Sequence, residues 1–370
     1  MKIRTKGKIE ASTSLLGYGC MRFPTLLDGA INVEETFRLL DLAYDGGVNY
    51  FDTAYPYHGG KSETVLGQWL QSKKRDSLYL VSKSPVWLIH NVEDFDRYLD
   101  EQLNKLQTDY LDFYLLHAMN AERLTQVRNA GLFEHLDHVK ASGKVKRIGF
   151  SFHDEYEVFE EIIKSYDWDF CQIQFNYMDV DYQAGLKGYE LATSMNIPVM
   201  IMEPIKGGQL ADVPNEIKSV FQSIHPEWSD ASWALRFAAS YENVAVVLSG
   251  MSAYEQVVDN LKTFDTFEML NEIELNAIAK AKQLFEARIQ VPCTGCRYCM
   301  PCPFGVDIPR NFALLNRAHI YNDFYSAKKG YTALEEAQAK ACQRCGACVV
   351  QCPQQIAIIE SLEQVKKELE

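Results

Sequence analysis

Between Tyr50 and Glu63 the chain reads YFDTAYPYHGGKSE, which places an aspartate, tyrosines, a histidine and a double glycine just past an apolar run. Lys83 closes the next such run, LYLVSK, and His117 closes the one after it, YLDFYLLH. A carboxylate, a phenol, an amine and an imidazole are the groups that hold and move protons. Taken singly, each has an ordinary explanation. An Asp before Thr caps a turn, a Tyr packs half-buried, a strand-end Lys is solvated, and a lone His makes a structural bond. Their order on consecutive runs singles them out. A second set is sulfur. Cys293, Cys296, Cys299 and Cys302 stand three apart and precede Pro303, while Cys342, Cys345, Cys348 and Cys352 follow C-x2-C-x2-C-x3-C and precede Pro353. Three thiolates so spaced wrap one face of a cubane cluster while the fourth reaches another. Paired C-x2-C steps also bind zinc, but two quartets each ending in Cys-Pro favour clusters.

Such groups act only if the fold brings them together. Eight apolar, β-branched runs recur: SLLGYGCM (14–21), NYFDTA (49–54), LYLVSK (78–83), YLDFYLLH (110–117), VKRIGFSF (145–152), FCQIQFN (170–176), PVMIMEP (198–204) and VAVVLSG (244–250). Near-continuous apolar runs suit parallel strands buried on both faces. Helical patterns lie between them. Asn91 caps a stretch in which Phe95, Leu99, Leu103 and Leu106 share one face. Ser252 to Glu255 reads as a capping box, and Gly46-Gly47 ends a helix begun near Glu34. Eight strand–helix units predict an α/β fold, a (β/α)8 TIM barrel, over residues 1–285. GYGCMR lacks the third glycine of G-x-G-x-x-G, which weakens a doubly wound dinucleotide fold. In a barrel of this kind chemistry sits at the carboxyl ends of the strands, so Asp52, Tyr57, Lys83 and His117 would meet at one mouth. The amino-terminal MKIRTKGKIE alternates like a hairpin.

Of ten cysteines, only Cys20 and Cys171 lie in the first 290 residues. That clustering, in a chain with no apolar leader, predicts a metal domain at 286–370 in a reducing cytoplasm. A net charge of -13 over 370 residues argues against nucleic acid and anionic membranes as partners, and no apolar run is long enough to span a bilayer.

With those residues in view, FDTAYPYHGGKSE, the lysine of YLVSK and the histidine of DFYLLH together resemble the signatures of the aldo-keto reductase family, over about three quarters of the chain. The resemblance implies that Tyr57, five residues past Asp52, is the acid, with Asp52, Lys83 and His117 as partners. The chemistry agrees. A tyrosine has a reference pKa near 10, so a cation at Lys83 would stabilise its phenolate, and a buried lysine wants a carboxylate such as Asp52. A neutral His117 would donate to the substrate oxygen. The resemblance further implies NADP(H) or NAD(H), reducing a small-molecule carbonyl substrate. Its contacts would fall at Met21, Ser151, Gln172, Met202, Gly250, Met251, Ser252, Gln256 and Asn260, with phosphates at the free N–H groups opening the Ser252 helix. Phe152 and Met202 stand where the family carries an Asn and a stacking aromatic, so both are expected where the nicotinamide ring would lie. Gly250 and Gln256 stand where it carries 2′-phosphate cations, which leaves NADP against NAD open.

The tail resembles the helical, two-cluster ferredoxins, and the whole chain resembles the ferredoxin-tailed branch of the family found in anaerobes. That implies two [4Fe–4S] clusters with crossed ligation, one on Cys293, Cys296, Cys299 and Cys352, the other on Cys342, Cys345, Cys348 and Cys302. A redox partner protein would exchange electrons with them. Hydride leaves a nicotinamide as two electrons whereas a cluster takes one, so wiring the halves together would need a converter such as a flavin, and no motif marks one. Two alternatives stay open: a nicotinamide-binding redox sensor, as the related potassium-channel β subunits are, and an electron-transfer subunit of a larger complex.

Overall fold

Strands that carry no polar alternation must be covered on both faces, by a barrel interior on one side and helices on the other. The computed structural model describes residues Met1–Glu370. Two short strands, β1 (Ile3–Arg4) and β2 (Thr13–Ser14), precede eight more: β3 (Leu16–Gly19), β4 (Tyr50–Asp52), β5 (Tyr79–Ser84), β6 (Phe113–Met119), β7 (Ile148–Phe152), β8 (Phe170–Gln174), β9 (Val199–Met202) and β10 (Val244–Ser249). The eight close in the order β10-β3-β4-β5-β6-β7-β8-β9, each parallel to its neighbours. This is the expected (β/α)8 barrel. Tyr50, Val81, Phe113, Leu115, Phe170 and Met200 fill its interior. Each large apolar side chain buried there contributes about 1.5–3 kcal/mol, so the wall that carries the strand ends is stiff.

The amino-terminal hairpin has only two rungs, with Ile3 opposite Ser14, and a 3-10 turn at Gly7–Ile9 replaces a continuous ladder. Ile9 and Ala11 from this connection join the interior cluster. The helix Val92–Leu106 buries Phe95, Leu99, Leu103 and Leu106 as its spacing predicts, and the Asn91 side chain accepts from the Asp94 N–H at 2.9 Å. The capping box at Ser252 does not form. That helix runs Tyr254–Asp265 from an Ala253 cap, and Gln256 Oε1 instead accepts the Ser252 N–H at 2.8 Å.

Two compact units divide the chain, Met1–Gly207 with Ala231–Asn271, and Gly208–Asp230 with Glu272–Glu370. The boundary expected near residue 285 therefore falls inside the second unit. Within that unit the helix Asn215–Gln222 packs on the helix Glu272–Glu286, Arg288 pairs with Glu216, and His225 meets Glu274 at 2.7 Å. The stretch between the cysteine motifs is helical as expected, at Ile308–Tyr321 and Phe324–Thr332. One structural phrase occurs twice: Cys302-Pro303 leads through buried Val306 to a helix at Ile308, and Cys352-Pro353 leads through Ile356 to a helix at Ile358. No helix is long and apolar enough to cross a membrane.

Candidate active site

β4 ends at Asp52, and the chain must then turn across the barrel mouth. The Thr53 N–H reaches Val81 O at 2.9 Å and the Tyr57 N–H reaches Ala54 O at 3.1 Å, after which His58 and Gly59 take left-handed φ values of 52° and 64°. Glycine is at ease there. His58 is latched: its Nε2 accepts the Phe23 N–H at 3.0 Å and its ring stacks on Phe23 at 5.6 Å. It is a loop residue, as its sequence setting suggests.

The turn sets Tyr57 over Lys83. The Lys83 ammonium donates to Asp52 Oδ1 at 2.5 Å, to Thr53 O at 2.8 Å and to Tyr57 Oη at 3.3 Å, which fills its three donors. The His117 ring lies 6.0 Å from the Tyr57 ring, edge-on at 80°. The structure thus brings all four expected residues together. Burial works to lower the Lys83 pKa, but Asp52 and then Tyr57 raise it, and the balance is upward. Burial pushes the Asp52 carboxyl up against the pull of Lys83, and the 2.5 Å contact keeps the pair ionic. Burial also pushes the Tyr57 phenol up, and Lys83 offsets this only in part. The expected lowering of Tyr57 is therefore not realised, because a desolvated phenolate is costly and the nearby Asp52 charge works against Lys83. His117 is driven well below its ordinary 6.5 by burial, then by Lys83, Arg123 and His153. It is neutral, and its Nδ1 is buried without a partner. A bare lone pair is the cheaper atom to bury there, which assigns the proton to Nε2.

Lys83→Met should destabilise the protein by about 3–5 kcal/mol, since it strands the buried Asp52 carboxylate. Urea unfolding of the variant beside Lys83→Met/Asp52→Asn measures this, and the double variant should recover part of the loss.

Sequence reasoning missed the layer behind Lys83. Buried Glu63 accepts from Ser82 Oγ at 2.6 Å and from Gln102 Nε2 at 2.5 Å. Gln102 also donates to Lys83 O at 3.0 Å and accepts from Tyr114 Oη at 2.6 Å. The signal was present, since Glu63 closes the quoted stretch.

The residues expected near a nicotinamide are more dispersed. Gln172 is buried on the interior face. Its Nε2 has only Met202 Sδ, at 3.7 Å, and its Oε1 has no partner. Ser151 Oγ accepts the Ala118 N–H at 2.7 Å. Phe152, adjacent to it, is fully buried with its ring 5.2 Å from that of Phe159 on the helix Tyr156–Ile163, so strand alternation turns it away from the mouth and corrects the expectation that it meets the ring. Met21 is exposed and Met251 is buried, with its carbonyl accepting from Tyr18 Oη at 2.6 Å. Asn260 Nδ2 donates to Ser249 Oγ at 2.9 Å. The Ser252 N–H is held by Gln256, so it is not the free anion donor expected. Arg22 was also missed. Its stem lies 3.2–3.5 Å from where a Cβ on Gly250 would sit, and its guanidinium 3.7 Å from that of Gly207. Glycine at 250 makes room for a cation from another loop.

In the second unit, Cys293, Cys296 and Cys299 line one cavity together with the distant Cys352, walled by Ile308, Pro309, Phe312 and Ile356. Burial pushes the Cys348 thiol up, and Cys342, Cys302 and Cys345 add to it in that order.

The family model for the aldo/keto reductase family matches residues 15–283, and that for the 4Fe-4S dicluster domain matches residues 292–357. An uncharacterised oxidoreductase of Bacillus subtilis strain 168, YqkF, is 24% identical over 307 residues, spanning 75% of this chain and 95% of its own. A solved aldo-keto reductase from Bacillus halodurans, in its holo form, superposes with a TM-score of 0.64 at 23% identity over 76% of this chain and 96% of that one. Another, from Klebsiella pneumoniae in complex with NADPH, gives 0.61 at 23% identity over 77% and 95%.

Proposed function

This chain belongs to the aldo/keto reductase family and carries a 4Fe-4S dicluster domain, and from that premise we propose that it reduces a small-molecule carbonyl at the barrel mouth with a nicotinamide cofactor. The observation that carries the reading is one ammonium, Lys83, bonded at once to Asp52 and Tyr57 with the His117 ring beside them. A nicotinamide, when bound, supplies a hydride to the carbonyl carbon. Tyr57 gives its phenolic proton to the carbonyl oxygen, and Lys83 steadies the phenolate that is left. His117 Nε2–H donates to the same oxygen and orients it. Asp52 keeps Lys83 charged and in place.

The residues present suit the cofactor. Gln172 offers a buried amide oxygen with no partner, which fits a carboxamide N–H, and the NADPH of the Klebsiella protein supports the choice. Arg22 adds one cation near the phosphate loops, in place of those absent at Gly250 and Gln256. A preference for NADPH over NADH below about a thousandfold, some 4 kcal/mol, is expected. Fluorescence titration of both nucleotides measures it, and a wider gap would contradict the missing clamp.

For the tail, Cys293, Cys296, Cys299 and Cys352 would hold one [4Fe–4S] cluster, and Cys302, Cys342, Cys345 and Cys348 the other. These clusters supply one-electron transfer, to a redox partner protein rather than to substrate. Thiols kept free for iron suit a reducing cytoplasm. Anaerobic turnover of a simple aldehyde with bound nucleotide tests the whole reading. Nucleotide bound without turnover would favour the sensor alternative.

A further inference from the structure

Strand alternation carries the inward face of Phe113 and Leu115 on to His117, but the imidazole has to be held there, because β6 loses its register with β7 at that point. β6 and β7 pair with Leu116 opposite Phe150, then slip by one residue, so that Met119 stands opposite Phe152. Within the bulge Ala118 takes a left-handed φ of 51°. An alanine holds that conformation only when its surroundings enforce it. Both its polar groups are held, the N–H by Ser151 Oγ at 2.7 Å and the carbonyl by Arg123 Nη1. Arg123 lies in the first turn of the helix Ala121–Asn129, and its own N–H is capped by Asn120 Oδ1 at 2.8 Å. Its guanidinium sits 5.1 Å over the Trp87 ring, and Trp87 in turn lies 5.4 Å from the His117 ring.

We propose that Arg123 is a positioning residue for His117: it clamps the peptide that follows the imidazole and the indole that flanks it, and so fixes the bulge that holds His117 at the mouth. The same guanidinium acts on protonation. The groups that face His117 are Lys83 from β5, Arg123 from the helix Ala121–Asn129, His153 from the loop after β7, and the Tyr57 phenol. After burial, Lys83, Arg123 and His153 lower its pKa in that order. Removing the Arg123 charge therefore lets His117 protonate at higher pH.

The activity arm of this inference rests on the carbonyl-reductase reading; the titration arm does not. The test compares Arg123→Met and Arg123→Lys in the full chain with its clusters. His117 is followed by 15N imidazole resonances, assigned with His117→Gln. Arg123→Met should titrate His117 at higher pH and lower kcat about 10–100-fold, with nucleotide affinity within about twofold. Arg123→Lys, which keeps charge and a donor, should restore both readouts in large part. If Arg123→Met does not fold, Arg123→Gln keeps a donor without the charge and should still shift the titration. A folded Met or Gln variant whose His117 titrates as in the parent, with kcat unchanged, overturns the inference. If Arg123→Met shifts His117 and Arg123→Lys restores it in a protein that reduces no carbonyl, the coupling of Arg123 to His117 stands and the reductase reading falls.

Discussion

Tyr57→Phe should lower carbonyl reduction by about 10²–10⁴-fold while nucleotide affinity stays within about twofold. Only Oη is lost. The ring keeps its edge against His117, and Lys83 keeps Asp52 and Thr53, so the fold and the nucleotide site have no reason to change. The parent's pH profile should be wide. Reduction needs Tyr57 protonated, and burial holds the phenol above its ordinary 10.0, so the rate should fall only above that value. It also needs His117 neutral, and that group is held well below 6.5, so the acid limb should lie beneath it. The variant should lose the alkaline limb together with the rate. Near-parental turnover by Tyr57→Phe would remove Tyr57 as the acid.

Crossed ligation predicts an outcome that straight ligation reverses. Cys299 and Cys352 serve one cluster in the crossed scheme, so Cys299→Ala/Cys352→Ala should empty one site and leave about four irons of about eight. Cys299→Ala/Cys302→Ala then strikes both sites, and iron should fall below about four. Cys352 in the cavity of Cys293, Cys296 and Cys299 motivates the prediction. Because cofactor binding is folding free energy, the second variant should also lose more helix content on warming. Anaerobic iron analysis with circular dichroism decides it, and straight ligation would exchange the two results.

The barrel was legible because buried parallel strands announce themselves as apolar runs, and the site because β4, β5 and β6 each carry, at or near the carboxyl end, a group that holds a proton. What stayed hidden depends on atoms far apart in sequence. Nothing in YLDFYLLHAM shows that Ala118 adopts a left-handed φ, since Ser151 and Arg123 impose it. The pull of Lys83 on Tyr57 was overestimated, because sequence does not show how deeply the phenol is buried. Phe152 was misread because facing depends on register, and a neighbour of Ser151 points the other way. The Ser252 box yielded to a side chain one turn on, Gln256.

The second unit takes in Gly208–Asp230 as well as Glu272–Glu370, so the backbone passes between the units three times, at 207–208, 230–231 and 271–272. A module fused at one seam can be shed by one protease cut or one stop codon. Here a nick after residue 271 cuts the covalent link to Glu272–Glu370, which the packing of its first helix on the helix Asn215–Gln222 of the same unit still holds. A gene ended at residue 285 would leave Ile217 and Phe221, buried on the helix Asn215–Gln222, in a segment separated from most of its own unit. Any tail joined after residue 285 would therefore have to pack with a segment, Gly208–Asp230, that lies within the 15–283 match to the aldo/keto reductase family.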